Sequence, residues 1–306
     1  MVSLYHKILV PLDGSALAEQ VLPHLQRLAA PSETTLVLVN VIEPIPYSMP
    51  PLCYTPPNFL PYLRSSAEAY IAEQQKQLQA VGFQVEAHVI EGDAATNLVS
   101  VATATNVDLI AMTTHGRSGF VRWALGSVAE RVMCETLLPV FLVRETTAAA
   151  GDKLRRILVP LDGSPLAEQA LPEAVALAQA TGAELLLLQV IQTFDEGNKH
   201  ILFKNEAEAQ VAFAQWQTSA ATYLEQVAQP IQAQKVVYIC RALAGNVVEM
   251  IIDTVETDGI DLLVISTHGR SGLRRWMYGS VANKVLRGVS CPLLVIHNSP
   301  VLADLP

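Results

Sequence analysis

The chain has 306 residues, 51% of them apolar and 16% charged, enough for about two domains with ample buried cores. A formal charge of −9 excludes a protein whose main partner is nucleic acid, because phosphate binding needs a basic face. The opening MVSLYHKILVPLDG lacks the pattern of a signal peptide, and runs such as LLLLQVI at 185–191 are too short to span a membrane, so a cytoplasmic protein is expected.

The first predicted strand, 7–12, leads into the turn PLDGS and a helical pattern over 15–30, with Ala18, Val21, Leu22, Leu25, Leu28 and Ala29 on one face. A second strand follows at 35–42. The stretch EPIPYSMPPLCYTPPNFLP at 43–61 is too rich in proline for a helix and reads as a long loop. Strands are predicted next at 84–90, 108–113 and 139–143. Between the last two lies THGRSGFVRWALGSVAERV, whose end at VAERV is helical.

The second half repeats the series. Strands are predicted at 156–161, 184–191, 235–240, 261–266 and 292–296. Ser164-Pro165 reads as an N-cap followed by proline at the first helical position. The stretch from Phe194 to Trp216 has few helix breakers after Gly197 and is predicted to be partly helical. Long segments after a second strand either cover a ligand or pack as surface excursions. Cys53, Cys134, Cys240 and Cys291 have no metal-site spacing and read as reduced thiols.

KILVPLDGSALAEQVLP at 7–23 matches RILVPLDGSPLAEQALP at 156–172 at an offset of 149, and THGRSG recurs at an offset of 153. The sequence places the four extra residues between Asn246 and Asp261. A repeat of this length is a duplicated domain, giving domain 1 at 1–146, a linker at 147–153 and domain 2 at 154–306. Alternating strands and helices, with strands apolar at nearly every position, predict an α/β fold. Each domain is then a doubly wound, five-stranded parallel sheet flanked by helices.

In such a sheet, ligands collect beyond the carboxyl ends of the strands at the topological switch point. Two repeated loops occupy such ends: Asp13-Gly14-Ser15 with Asp162-Gly163-Ser164, and the long loop after the fourth strand. Gly116 and Gly119 allow close approach of backbone N–H groups to an anion, and Gly126-Ser127 opens a helix whose N-terminus favours negative charge. Arg117 adds a cation, and Gly269, Gly272, Gly279, Ser280 and Arg270 repeat the set. Asp-Gly-Ser also reads as plain turn and cap chemistry. His115, His268, Trp123, Trp276, Arg122, Arg274 and Arg275 read as packing or solvated groups.

VPLDGS, THGRSG, GSVAERV or GSVANKV, and the closing LPVFLV or CPLLVI strand together resemble the universal stress protein family in its tandem form. The resemblance spans nearly the whole chain and implies strand order 3-2-1-4-5 in each domain. It also implies an internal pseudo-dimer through the last strands, with a homodimer open as a further state. ATP-binding members carry G-x2-G-x9-G-[ST]. Here the first glycine is replaced by Thr113 in one copy and Ser266 in the other.

Carried over position by position, the base and ribose side would involve Pro11, Asp13 and Val41, and in the second copy Pro160, Asp162 and Val190. The phosphate side would involve Gly116, Arg117, Gly126 and Ser127, with Met112, Thr113 and Val128 also in the nucleotide site. Their second-copy partners are Ser266, Gly269, Arg270, Gly279, Ser280 and Val281. The implied ligand is ATP, with or without Mg, or else ADP or AMP, held by a stress-response regulator or sensor. The smaller Ser266 favours the second site.

The alternative is a nucleotide-free interaction module of the same fold. No Walker-A lysine follows either glycine-rich loop, and no nucleophile, base and acid fall at telling spacings, so at most a slow ATPase is expected.

Overall fold

The computed structural model describes residues 3–43, 59–114, 125–144, 153–193, 205–267 and 279–297. The chain forms two compact units, Met1–Thr146 and Thr147–Pro306. Most of the expected linker, like the centre of each long loop after the fourth strand, lies outside the described residues.

In the first unit, β1 (Lys7–Pro11), β2 (Thr35–Ile42), β3 (Gln84–Glu91), β4 (Leu109–Thr113) and β5 (Val140–Val143) form a sheet of order β3-β2-β1-β4-β5. Every pairing is parallel. β4 and β5 are buried at each position, whereas β3 at the edge is largely exposed. In the second unit, β6 (Arg156–Pro160), β7 (Glu184–Gln192), β8 (Tyr238–Gly245), β9 (Leu262–Ser266) and β10 (Leu293–Ile296) repeat the order as β8-β7-β6-β9-β10. These pairings are parallel as well. The expected doubly wound fold is therefore present twice.

The predicted helix at 15–30 is two helices, α1 (Ala16–Glu19) and α2 (Leu22–Leu28). Pro23 lacks an N–H and its ring would strike the carbonyl four residues back, so a continuous helix breaks ahead of it. The second unit breaks alike, into α6 (Pro165–Glu168) and α7 (Leu171–Thr181), with Pro172 in the corresponding place. Ser164 caps α6 with Pro165 in its first turn, as the sequence predicts. The remaining helices are α3 (Phe59–Ala80), α4 (Ala94–Ala104) and α5 (Ser127–Glu135), then α8 (Glu206–Ala233), α9 (Val247–Thr257) and α10 (Ser280–Gly288).

Two elements differ clearly in extent from expectation, α3 and β8. α3 starts at Phe59, inside the stretch predicted as loop, because Pro61 falls in its first turn, where no N–H is needed. Positions 44–58 of that stretch are outside the described residues. β8 runs from Tyr238 to Gly245 instead of 235–240: Lys235, at φ 59°, closes the preceding helix in a left-handed turn, so the apolar run KVVYIC catches only the strand's beginning.

The four extra residues also move. The Tyr70 hydroxyl donates to Glu19 (2.9 Å) and the Tyr223 hydroxyl to Glu168 (3.0 Å). The offset is thus already 153 at these tyrosines, so the insertion lies between β7 and α8, not between Asn246 and Asp261.

Candidate functional site

In each unit β1 or β6 leaves the sheet in an Asp-Gly-Ser turn of the same geometry. Asp13 Oδ1 accepts from the Ser15 N–H (2.9 Å) and hydroxyl (2.6 Å), and the Ser15 hydroxyl oxygen accepts from Ala18 N (3.1 Å), capping α1. Asp162 and Ser164 do the same at 2.9, 2.6 and 3.2 Å. Gly14 and Gly163 sit at φ 84° and 82°, a left-handed conformation that glycine adopts without strain. The turn-and-cap reading of this motif is therefore correct for one carboxylate oxygen. The same aspartates also border a cavity.

The cavity of the first unit, 580 Å³, opens over the carboxyl ends of β1, β2 and β4. Pro11, Asp13, Val41, Met112, Thr113, Gly126, Ser127 and Val128 all line it. The second unit has a cavity of 740 Å³ in the same place, lined among others by Pro160, Asp162, Val190, Ser266, Gly279, Ser280 and Val281. Both volumes suit a small-molecule ligand. Gly116, Arg117, Gly269 and Arg270 fall outside the described residues, as do His115, His268, Trp123 and Trp276.

Helix ends around the cavities are capped unequally. Ser15, Asp93, Ser164, Asn205 and Asn246 each accept a first-turn N–H at the start of their helices. α5 and α10 instead begin after Gly126 and Gly279, with no side-chain cap. Each glycine N–H is already spent, on the Thr114 carbonyl (2.8 Å) or the Thr267 carbonyl (2.9 Å). That bond holds the helix start against the end of β4 or β9. Next along are Ser127-Val128 and Ser280-Val281, which line the cavities with uncapped first-turn amides. An anion at such an end meets both free donors and the positive end of the helix dipole.

Several lining residues escaped the sequence reading. Tyr70 and Tyr223 form the helical wall, tied by their hydroxyls to Glu19 and Glu168. The signal was present, since LAEQ repeats at an offset of 149 and these tyrosines at 153, but only the fold brings them together. Burial and the Glu168 carboxylate push the Tyr223 phenol up, which keeps it a neutral donor.

The two cavities differ in polarity. Glu43 borders the first, accepting a long hydrogen bond from Ala94 N (3.4 Å), and Gln192 stands at the matching place in the second. Behind them, α4 is capped by Asp93 and α9 by the neutral Asn246. Asp93 is held well below the usual carboxylate range by hydrogen bonds from Arg131 and Thr96.

The strand residue below the turn differs too. Asn40 Nδ2 donates to the Leu12 carbonyl (2.7 Å). Gln189, one methylene longer, has its buried Oε1 left without a donor among the described residues. A buried unpaired acceptor of this kind costs about 1–3 kcal/mol. Trp216 lines the second cavity where Leu63 lines the first.

Among the described residues no helix is long and apolar enough to cross a membrane. The family model of the Universal stress protein family matches residues 4–144 and again 153–297. A universal stress protein of Mycobacterium tuberculosis is 24% identical over 306 residues, an alignment covering 96% of this chain and 98% of the relative. One of Mycolicibacterium smegmatis is 24% identical over 296 residues, covering 95% and 96%. Among solved structures, a universal stress protein from Archaeoglobus fulgidus superposes with a TM-score of 0.71 at 20% identity, over 96% of this chain and 97% of that one; the likeness is one of fold.

Proposed function

Since the chain belongs to the universal stress protein family, which it matches twice in tandem, we propose that it binds an adenine nucleotide in its second cavity and acts in the stress response as a regulator or sensor. The observation that carries this reading is the uncapped start of α10 at Gly279-Ser280, facing a cavity with the volume of a small-molecule site. A nucleotide's phosphates would supply the missing cap, and its base and ribose would lie toward Asp162 and Val190 on the strand side.

The first cavity favours the second reading, a site without nucleotide. The Glu43 carboxylate borders it, and Thr113 puts a β-branched side chain where Ser266 puts a smaller one. Both features oppose a polyphosphate drawn close to the backbone.

The test is direct. The purified protein is denatured and the supernatant assayed for adenine nucleotide, and ATP, ADP and AMP are titrated calorimetrically into the emptied protein. Release or binding at about one nucleotide per chain is the expected result. A protein that releases none, gives no heat and shows no thermal shift would overturn the proposal.

A further inference from the structure

Two side chains of the second cavity, Trp216 and Gln189, replace Leu63 and Asn40 of the first, and both suit a flat heterocycle. Trp216 stands on α8, at the position that Leu63 holds on α3. It keeps 38% of its surface exposed while lining the cavity, and Phe213 braces it edge to face at 5.2 Å. A braced, part-exposed indole on a cavity wall is a stacking platform, and it carries little entropy cost because its ring is already fixed.

The same cavity is lined from β7 by Gln189, which is 91% buried, its exposure being 9%. Its Oε1 lacks a donor among the described residues. The first unit meets the same topological position with Asn40, which closes on the Leu12 carbonyl (2.7 Å) and so has its amide engaged by the protein. Gln189 has therefore kept its hydrogen-bonding capacity at the edge of a ligand-sized space. A carboxamide offers one acceptor end and one donor end, so the ligand it suits brings a donor and an acceptor side by side.

We infer that Gln189 and Trp216 together select the base in the second cavity. The indole stacks on the ring, and Gln189 Oε1 accepts from an exocyclic amine such as that of adenine. Guanine presents two acceptors along the edge where adenine presents a donor beside an acceptor, so whichever way the amide turns, it cannot pair both of its ends there. The inference rests on the nucleotide reading of the second cavity and adds to it the basis of its choice between purines.

The experiment compares ATP and GTP binding by calorimetry for the full chain and for Gln189→Leu, Trp216→Ala and Trp216→Phe, with quenching of tryptophan fluorescence as a local readout. The wild type is expected to prefer ATP by about tenfold or more. Gln189→Leu should reduce that preference to about twofold while leaving the melting temperature of the ligand-free protein unchanged or higher, since it removes an unpaired buried acceptor. Trp216→Ala should weaken both nucleotides about tenfold, and Trp216→Phe should retain affinity while losing part of the quenching.

If the wild type binds ATP but Gln189→Leu keeps the full preference, or Trp216→Ala binds as before, the inference is overturned and the nucleotide site stands. If the wild type binds neither nucleotide, the functional reading itself fails and takes the inference with it. A variant melting far below wild type is replaced by Gln189→Met or Trp216→Leu, and the same two comparisons decide.

Discussion

The first and second units share strand order, turn geometry and the tyrosine-to-glutamate tie over the cavity, yet the walls of their cavities have drifted apart. Glu43, Asn40 and Leu63 line the first, with Asp93 capping α4; Gln192, Gln189 and Trp216 line the second, with Asn246 capping α9. The framework residues are apolar and buried, and a change there opens a void or a clash. Wall residues face a space that tolerates exchange, so function can diverge in the walls without disturbing the sheet.

The comparison breaks most sharply at the glycine caps. Among the described residues a Cβ on Gly279 would meet the Thr267 carbonyl at 3.6 Å, an ordinary contact, so Gly279→Trp should fold while its ring fills the cavity. Calorimetry should then show second-site binding weakened by about 100-fold or more. Gly126→Trp should leave second-site affinity as it was. Loss of nucleotide binding in the Gly126 variant alone would assign the ligand to the wrong unit.

A second large difference is acid sensitivity. His24 is buried in the first unit beside Phe141 (ring centroids 6.2 Å apart), and its Nδ1 has no hydrogen-bond partner among the described residues. Burial, assisted by the Arg27 guanidinium, pushes its imidazole down to about 4. The unfolded chain therefore binds the proton more readily than the folded one. Stability is fully present above pH 6.5, falls as pH drops from there toward 4, and changes no further below that through this group.

The loss should approach about 3 kcal/mol. The second unit carries Glu173 at the matching position, so this sensitivity belongs to the first alone. Denaturant melts from pH 7 to 4 should show the slope in the wild type and a flatter one in His24→Leu. Equal slopes in the two proteins would remove His24 as the cause.

Smaller effects test the shared parts. Gly14→Ala and Gly163→Ala should each cost about 1–2 kcal/mol, because both glycines hold left-handed backbone in the same turn. Unequal costs, read from chemical melts, would show that the two turns are less alike than their hydrogen bonds. Smallest is the charge exchange. Gln192→Glu should lower second-cavity affinity for ATP about fivefold, and Glu43→Gln with Thr113→Ser should raise that of the first by a similar factor. If neither change moves the titration, wall charge does not distinguish the cavities.

The sheet was legible because strands buried on both faces are written as unbroken apolar runs, as in LIAMT and LLVIS. Edge strands are not written that way, which is why β8 was misplaced. The Asp-Gly-Ser turns, the Ser164 cap and the Gly-Ser helix starts were legible too, since each is local chemistry within a few residues. Tyr70, Gln189 and Trp216 were not. Their part in the cavity depends on which helix lies over which strand, across separations that no local pattern encodes. The position of the insertion was missed for a related reason: similarity between α3 and α8 is weak, and it takes the tyrosine contacts and the strand registers to fix the alignment.

The bare starts of α5 and α10 carry one more consequence. A helix capped by its own serine or asparagine has a melting point written into the chain. One that leaves its first amides open borrows part of its stability from whatever solute occupies the neighbouring space, and returns it when the solute is diluted. On the nucleotide reading, the second unit thus keeps one segment, just ahead of its last strand, whose local opening would follow the ligand concentration. Amide hydrogen exchange along Ser280–Gly288 would then read out ligand concentration directly, with Ser127–Glu135 as the internal reference.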